Sequence, residues 1–421
     1  MRKTSSYLIV LLCLIGFGLC CCTPENVITP DVDDGTVLVV DSIKPDNPMV
    51  YAQGGNVVIN ISSNRLWNYS LLQESDSNWV RIERCNDSLS VTTLKNLTNV
   101  TRSAGIRICS GKKSVDLEIC QFPDIIKRTA LKERKIKNYL TVSYDMMNFA
   151  RLVFVLPVPQ SNMYQDVTQL NYRDADLLTT SDGELSYIRK NYENGFPQSG
   201  EICIYEDFAL KSYTIKTDFS AIKSYIPINR ESDVYKKYTV ADGDYIVPDN
   251  PEIQSVADKL WSEAKEDIIT YARLCYEHVA KTLLYLYPGT GLYPLSDILK
   301  NGGGDCGNQA SVYISLLRNK GIPARHVVMI RTDNTFHVRS EFFLAGYGWI
   351  PVDVNAKNFD ARGDYFGKTY SDEIVMNTDV NIDVMLDSTE SGNIALLQTY
   401  ACWYWWTAPC NVTFNLVTRE Y

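Results

Sequence analysis

The 421-residue sequence predicts two β-sandwiches followed by an α+β unit, and three observations predict them. Residues 36–122 and 127–245 are built from short runs that alternate apolar and polar side chains between turn residues, the period-2 pattern of half-buried strands. From residue 250 the apolar spacing changes to the i, i+3, i+4, i+7 pattern of helices, with recognisable caps. Strand patterns then return after Arg325, so helices and strands share the last segment. The length allows two to four domains at roughly 100–200 residues each. A hydrophobic content of 45% with 22% charged residues is that of a globular protein. The net charge is −9 with no basic cluster, which argues against a nucleic-acid partner.

At the amino end, Arg2 and Lys3 precede an apolar run over 7–19 that is too short to span a bilayer comfortably. The run ends in Cys20, Cys21 and Cys22, followed by Thr23, Pro24 and Glu25. This arrangement resembles a bacterial lipoprotein signal over residues 1–22. The resemblance implies a lipid on the first mature cysteine, here Cys22, with Cys20 and Cys21 as alternatives. It also implies attachment to a membrane through that anchor and an address in the cell envelope, at the outer-membrane surface or in the periplasm. Losing Arg2 and Lys3 with the leader takes the net charge from −9 to −11. Residues 23–35 are rich in Pro and Asp and read as a tether.

Residues 36–122 read as all-β. The runs 56–61, 105–109 and 114–119 alternate, and Ser110, Gly111, Lys112 and Lys113 form a tight hairpin signal. About seven short strands in some 85 residues fit an immunoglobulin-like sandwich. Gly54–Gly55, the blocks 63–67, 77–80 and 96–102, and Ile119-Cys120-Gln121 resemble the BACON domain of Bacteroidetes surface proteins. That resemblance implies an association with carbohydrate-acting proteins and a glycan partner for this module, with a spacer role as the alternative. Trp67 and Trp79 are expected in the sandwich core rather than as sugar platforms.

Residues 127–245 predict a second β-sandwich. A strand from Arg151 is expected to stop at Pro157 and Pro159. Further strands are expected at 161–167, 200–205 and 212–216. Segments of this kind resemble the β-domain that precedes transglutaminase-like cores, which implies that it packs on the next unit and walls one side of a cleft.

The last unit, residues 250–421, opens at Pro248-Asp249-Asn250-Pro251. Asn250 is the expected cap and Pro251 the first helical residue. Ile253, Val256, Ala257, Leu260, Trp261 and Ala264 make one apolar stripe. A second helix is expected over 266–285, a short one over 295–299, and then the glycine-rich turn Gly302-Gly303-Gly304-Asp305-Cys306. Ala310, Tyr313, Ile314 and Leu317 mark an apolar face on the helix that Cys306 opens, and Gly321 and Pro323 end it. Strands follow at 325–331, 334–344 and 348–354. The tail, 358–421, adds two strands, 396–406 and 412–417, joined near Cys410.

The chemistry concentrates in three places. Cys306 sits at a helix amino terminus, where unpaired backbone N–H groups favour thiolate, the nucleophile of acyl transfer. His337 begins a strand, and Asp353 ends the next one. Antiparallel pairing of those strands brings the carboxylate to the imidazole, where it fixes the tautomer. His326 is the alternative base, and His278 is expected to be structural. Outside the leader the cysteines are Cys85, Cys109, Cys120, Cys203, Cys275, Cys306, Cys402 and Cys410. Their irregular spacing predicts no zinc site. Cys402 and Cys410 are the best candidate disulfide, and Cys275 a buried thiol.

Gly304-Asp305-Cys306, the stretch 316–325, His337 ahead of Glu341, and Trp349-Ile350-Pro351-Val352-Asp353 resemble the transglutaminase-like superfamily over roughly residues 250–360. The resemblance implies a papain-like α+β core with a catalytic triad of Cys306, His337 and Asp353. It implies acyl transfer or hydrolysis on a peptide or amide bond through a Cys306 thioester, with a protein, peptide or glycopeptide substrate. No metal or organic cofactor is expected, since thioester chemistry needs none. The oxyanion would rest on the Cys306 backbone N–H and one upstream donor, with Tyr287 and Tyr293 as candidates. The alternative from another class is a non-catalytic surface lipoprotein that binds peptide or glycan.

Overall fold

The structure, a computed structural model, describes residues 34–421 apart from 45–48, 99, 146–148, 194–199, 224–225, 287–290, 334, 357–359, 361–362, 370–371 and 407–410. Cys22, Tyr287 and Cys410 therefore lie outside the described residues.

The first two sheets enclose one apolar core. Leu38–Lys44, Gly55–Ser63, Ser88–Thr93 and Val80–Cys85 lie side by side in one sheet. Met49–Val50, Lys113–Gln121, Arg102–Ser110 and Trp67–Leu71 form the other. Alternation sends Val57, Ile59 and Ile61 inward from one sheet and Ala104, Ile106 and Ile108 from the other. The expected hairpin is present: Ser110 pairs with Lys113, and Gly111 takes φ +54° in the two-residue turn. Trp67 and Trp79 are 5% and 9% exposed and belong to this core. A guanidinium lies over each ring, Arg84 over Trp67 and Arg102 over Trp79.

Two long strands organise the middle of the molecule. Ile126–Asp145 and Gly200–Thr217 pair antiparallel from Ile126↔Thr217 to Tyr144↔Gly200. At ~3.3 Å per residue the first is about 65 Å long, enough to serve two layers. At one end Leu140, Val142 and Ile204 pack on Leu152, Phe154 and Ile188 of a second sheet. At the other end Ile136, Phe208 and Leu210 pack on Ile330, Ile374 and Met376 of the last unit. The sequence suggested separate strands at 200–205 and 212–216, whereas the strand runs unbroken. The gap arose because Glu206 occupies an inward position, which hides the alternation that Phe208 and Leu210 continue. Likewise Phe149–Val158 passes through Pro157, which pairs only with Tyr187 on one side. The neighbour on the other side ends at Val155↔Ala401, so no ladder bond is lost there.

The tail strands complete these sheets. Ala401–Trp406 pairs with Phe149–Val158, and Asn411–Glu420 pairs with Ile126–Asp145. The tail thus leaves the helical unit and hydrogen-bonds to strands more than 240 residues earlier.

The last unit is a layer of helices on an antiparallel sheet. The sheet order is Gly348–Val352, Phe336–Leu344, Ala324–Ile330, Ile374–Asn377. The helices are Pro251–Glu263, Ile268–Thr282, Leu295–Asn301 and Cys306–Asn319. The Asn250 side chain accepts from the Glu252 and Ile253 N–H groups, and Pro251 opens the helix, as expected. Ile253, Ala257, Leu260 and Ala264 of the anticipated stripe are buried, while Val256 and Trp261 are half-buried against the same core. Among the described residues no helix is long and apolar enough to cross a membrane.

Glu206 is fully buried, between the two ends of the long strands. Its Oε1 accepts from Asn138 Nδ2 at 3.2 Å, and Asn138 Oδ1 accepts from Thr418 Oγ1 at 3.0 Å. Burial pushes the carboxyl up to about 8, with the Asn138 bond opposing. The native state therefore holds a proton that the unfolded chain releases above its ordinary value of 4.5. The resulting stabilisation is complete below pH 4.5 and is lost as pH rises through about 8. We expect urea midpoints to fall between pH 5 and pH 8.5, at up to about 1.4 kcal/mol per unit for this group. Glu206→Gln keeps the shape without the charge and is expected to flatten that slope. Equal slopes in the two proteins would show that Glu206 is not the group responsible.

Candidate active site

The glycine turn sets where the cysteine helix begins. Leu295–Asn301 is capped by Gly302 at φ +68°, a conformation that glycine takes without strain. Gly303 then lies so close to the parallel strand Leu284–Tyr285 that a Cβ would sit 2.1 Å from the Leu284 carbonyl oxygen. Asp305 caps the next helix, its Oδ1 accepting from the Asn308 N–H at 3.1 Å and from Asn308 Nδ2 at 2.7 Å. Cys306 is the first residue of that helix.

The sequence suggested an amphipathic helix. Its apolar face is buried as expected, but every residue from Gly307 to Arg318 is buried as well. The sheet covers one side and the other helices the rest, and several of the polar residues find partners inside. Ser311 Oγ donates to the Gly307 carbonyl at 3.2 Å, Ser315 Oγ to the Ser311 carbonyl at 2.8 Å, and Tyr271 Oη to the Leu316 carbonyl at 2.6 Å. The half-buried Cys306 is held at the open end of a helix enclosed by the sheet and the other helices.

His337 lies on Phe336–Leu344, and Asp353 follows the adjacent strand Gly348–Val352. Pairing of Ser340 with Val352 brings the two side chains together. His337 Nε2 and Asp353 Oδ2 are 2.7 Å apart, and Asp353 Oδ1 accepts from the Ala356 N–H at 3.0 Å. This leaves Nδ1 as the ring nitrogen available to Cys306, which lines the same cleft and contributes to the upward shift of His337. Only 8% of His337 and 9% of Asp353 is exposed. Burial works against a charged imidazole, but the Asp353 carboxylate, the Cys306 contact and Glu373 together hold His337 well above the usual histidine value. Burial likewise works against the Asp353 carboxylate, yet His337, the Ala356 N–H and Arg339 keep it below the usual range.

Charges missed in the sequence support this pair. His337, Arg339 and Glu341 share one strand face, while Val338 and Phe342 on the other face join the helical core. Arg339 Nη1 donates to Glu373 Oε2 at 2.7 Å, and Arg331 Nη2 to Glu373 Oε1 at 2.5 Å. Farther along, Glu341 accepts from Arg325 Nε and Tyr164 Oη, both at 2.6 Å. The i, i+2, i+4 spacing of His337, Arg339 and Glu341 was visible in the sequence. Glu373 and Tyr164 carried no such signal, because they approach from other elements.

The remaining candidates separate cleanly. His326 is buried against Ser311 Oγ and the Gly307 carbonyl at 3.3 and 3.2 Å, and burial lowers it to about 3. It is a neutral packing residue. His278 lies half-buried on Ile268–Thr282, lowered by burial, Lys259 and Lys281. The Tyr293 backbone N–H is bonded to Asn308 Oδ1 at 2.8 Å. Cys275 is buried, as expected. Cys402 carries a free thiol, pushed up to about 12 by burial, and its expected partner Cys410 is outside the described residues. Among the described residues no group of three or more His, Cys, Asp or Glu is placed to hold a metal ion.

Cys306 lines two cavities. One, of about 440 Å³, contains His337, Asp353, Arg331, Lys368 and Asn355. The other, of about 770 Å³, contains the Asp305–Gly307 helix end and faces Leu396, Gln398 and Tyr400 from the tail. Both fall within the ~300–1,000 Å³ of ordinary ligand sites.

Residues 254–354 match the Transglutaminase-like superfamily, a stretch that contains all three of Cys306, His337 and Asp353. Among solved structures, the chain is similar to a "putative cysteine protease" from Cytophaga hutchinsonii, with 13% identity, 70% of this chain and 93% of that chain covered, and a TM-score of 0.48. It is also similar to a "putative protease" from Parabacteroides distasonis, with 10% identity, coverage of 73% and 68%, and a TM-score of 0.22. A structure named as a TGase shares 12% identity, with coverage of 47% and 51% and a TM-score of 0.23. No curated protein matches the chain.

Asp353→Asn removes the carboxylate that raises His337. NMR titration of the His337 ring is expected to show wild-type imidazolium persisting above pH 6.5 and a lower midpoint in the variant. An unchanged midpoint would assign the shift to Glu373 instead.

Proposed function

We propose that the chain is a transglutaminase-like cysteine enzyme that attacks a peptide or amide bond through a Cys306 thioester, with water as the acceptor. The observation that supports this is the 2.7 Å contact of His337 Nε2 with Asp353, which leaves the other ring nitrogen for Cys306 in a cleft that all three residues line. The match of residues 254–354 to the Transglutaminase-like superfamily supports the same reaction class.

The chemistry follows from the placement. Cys306 Sγ, as thiolate beside the His337 imidazolium, adds to the carbonyl carbon. The carbonyl electron pair moves to oxygen, where the Cys306 backbone N–H, free of a helical partner at the first position, is aimed. As the C–N bond breaks, His337 gives its proton to the departing amine and a thioester remains. Water then enters, loses a proton to His337 and attacks the thioester. The acid leaves, and Sγ is restored with its proton shared with the ring. Asp353 keeps the ring oriented and the imidazolium favoured throughout. An amine in place of water gives transamidation by the same steps. Hydrolysis is preferred because an envelope-attached enzyme with β-modules meets peptide in bulk water.

The substrate class proposed is a protein, peptide or glycopeptide of the cell envelope. The enzyme would be held there by lipid on Cys22 and spaced from the membrane by residues 23–35 and the sheets of 38–121. The resemblance of residues 36–122 to BACON domains extends the proposal to a carbohydrate-associated setting. Glycan binding by the buried Trp67 and Trp79 is disfavoured, so any sugar contact would use other residues.

Cys306→Ala is expected to lower amidase turnover by on the order of 10⁴-fold or more while leaving the thermal midpoint near that of the parent. Selective iodoacetamide labelling that persists in Cys306→Ala would place the nucleophile elsewhere. For the anchor, Cys22→Ala is expected to move the protein from the membrane fraction to the soluble fraction, read by fractionation and mass spectrometry of the amino-terminal peptide. Continued membrane retention with no lipid mass would refute the anchor.

A further inference from the structure

The tail segment 396–400, expected as the start of a strand, is irregular and leads into Ala401–Trp406, the strand that completes the sandwich, yet it reaches the cavity that Cys306 lines. Three contacts fix it. The Leu397 side chain is buried in the sandwich core with Val153 and Val155. The Leu397 carbonyl accepts from Asn377 Nδ2. Gln398 Nε2 donates to the Met329 carbonyl at 2.7 Å and to the His337 carbonyl at 3.0 Å. Met329 and His337 are partners across the catalytic sheet, so one amide bridges the strand that carries the base to its neighbour. Held this way, Leu396 and Tyr400 line the 770 Å³ cavity together with Leu292, Val338 and Leu416. Tyr400 is braced by Phe414, with ring centroids 5.5 Å apart and planes inclined by 27°.

The two cavities that share Cys306 are not equivalent for the chemistry. A general acid must reach the nitrogen that leaves. His337 and Asp353 line the smaller cavity, so the amine side of the scissile bond belongs there. The larger cavity holds the Asp305–Gly307 helix end, where the oxyanion forms, so the acyl side belongs there. Among its described lining residues, half are aliphatic or aromatic, none is Lys or Arg, and the one carboxylate, Asp305, is turned to Asn308.

We propose that the tail segment 396–400, pinned by Gln398 to the His337 strand, forms the acyl-side subsite and selects substrates with a large apolar or aromatic side chain next to the scissile carbonyl. This rests on the Cys306 thioester reading. Charged acyl residues are disfavoured, since desolvating them against Leu292, Leu396 and Leu416 has no compensating ion pair. The selectivity expected from such a pocket is about tenfold or more between a large apolar residue and glycine.

The test uses the full chain and two thiol reagents. Iodoacetamide, too small to need the subsite, reports the nucleophile. A set of peptidyl vinyl sulfones with Phe, Leu, Gly or Asp at the acyl position reports the subsite. Inactivation with Phe or Leu is expected to be about tenfold faster than with Gly or Asp. Leu396→Ser and Tyr400→Ala are each expected to erase that ratio while the iodoacetamide rate stays at the parental value. Selective iodoacetamide labelling of Cys306 without any apolar preference in the parent overturns the subsite and leaves the thioester reading standing. Absence of selective Cys306 labelling overturns both. A preference that survives both substitutions assigns selectivity to Leu292 and Val338 rather than to the tail.

Discussion

The contact between His337 and Asp353 is the constraint on which the rest of this molecule depends. Burying an imidazolium or a carboxylate alone is costly enough that either would lose its charge. At 2.7 Å each makes the other's charge tolerable. The arrangement continues outward with alternating sign through Arg339, Glu373 and Arg331. Removing one partner from such a buried set strands the others and costs about 3–5 kcal/mol. The same contact has a geometric consequence: with Nε2 committed to Asp353, only Nδ1 can serve Cys306. Electrostatic compensation and ring orientation are therefore one feature.

The surrounding fold makes that feature rigid. The cysteine helix is enclosed on all sides, and its amino end is placed by a turn whose Gly303 touches the Leu284 carbonyl. Behind the sheet that carries His337 the two long strands press Phe208, Leu210 and Ile215 against Ile330, Met376, Val327 and Met329. The sandwich is thus a backing plate for the strand that carries His337. Through the tail it also supplies one side of the cleft. The position of the histidine strand is set jointly by the helices in front, the long strands behind and the Gln398 bridge near its amino end.

Much of this was legible in the residues. The helix starts at Asn250 and Asp305, the strands that bear His337 and Asp353, and the hairpin at Gly111 each have local causes: a capping side chain, a period of two, a residue that accepts positive φ. The three candidate residues, Cys306, His337 and Asp353, could be placed for the same reason, since each stands at an element boundary that sequence marks well. The choice of His337 over His326 was also open to sequence logic, because only His337 precedes a strand ending in a carboxylate. Where the local signal was broken, the prediction broke with it: Glu206 at an inward position split one strand into two, and Pro157 suggested a stop where one unpaired side made it harmless.

By itself the sequence determined most of the elements, their order, and which histidine and carboxylate face one another across adjacent strands. These follow from periodicities and caps that act over a few residues. Only the tertiary structure decided that Glu373 would lie beside Arg339, that the cysteine helix would be buried all round, and that the tail would return to the edges of strands laid down near residues 126 and 149. Those choices depend on sheet edges, buried charges and packed faces contributed by distant segments. No short window of sequence contains both halves of such a contact.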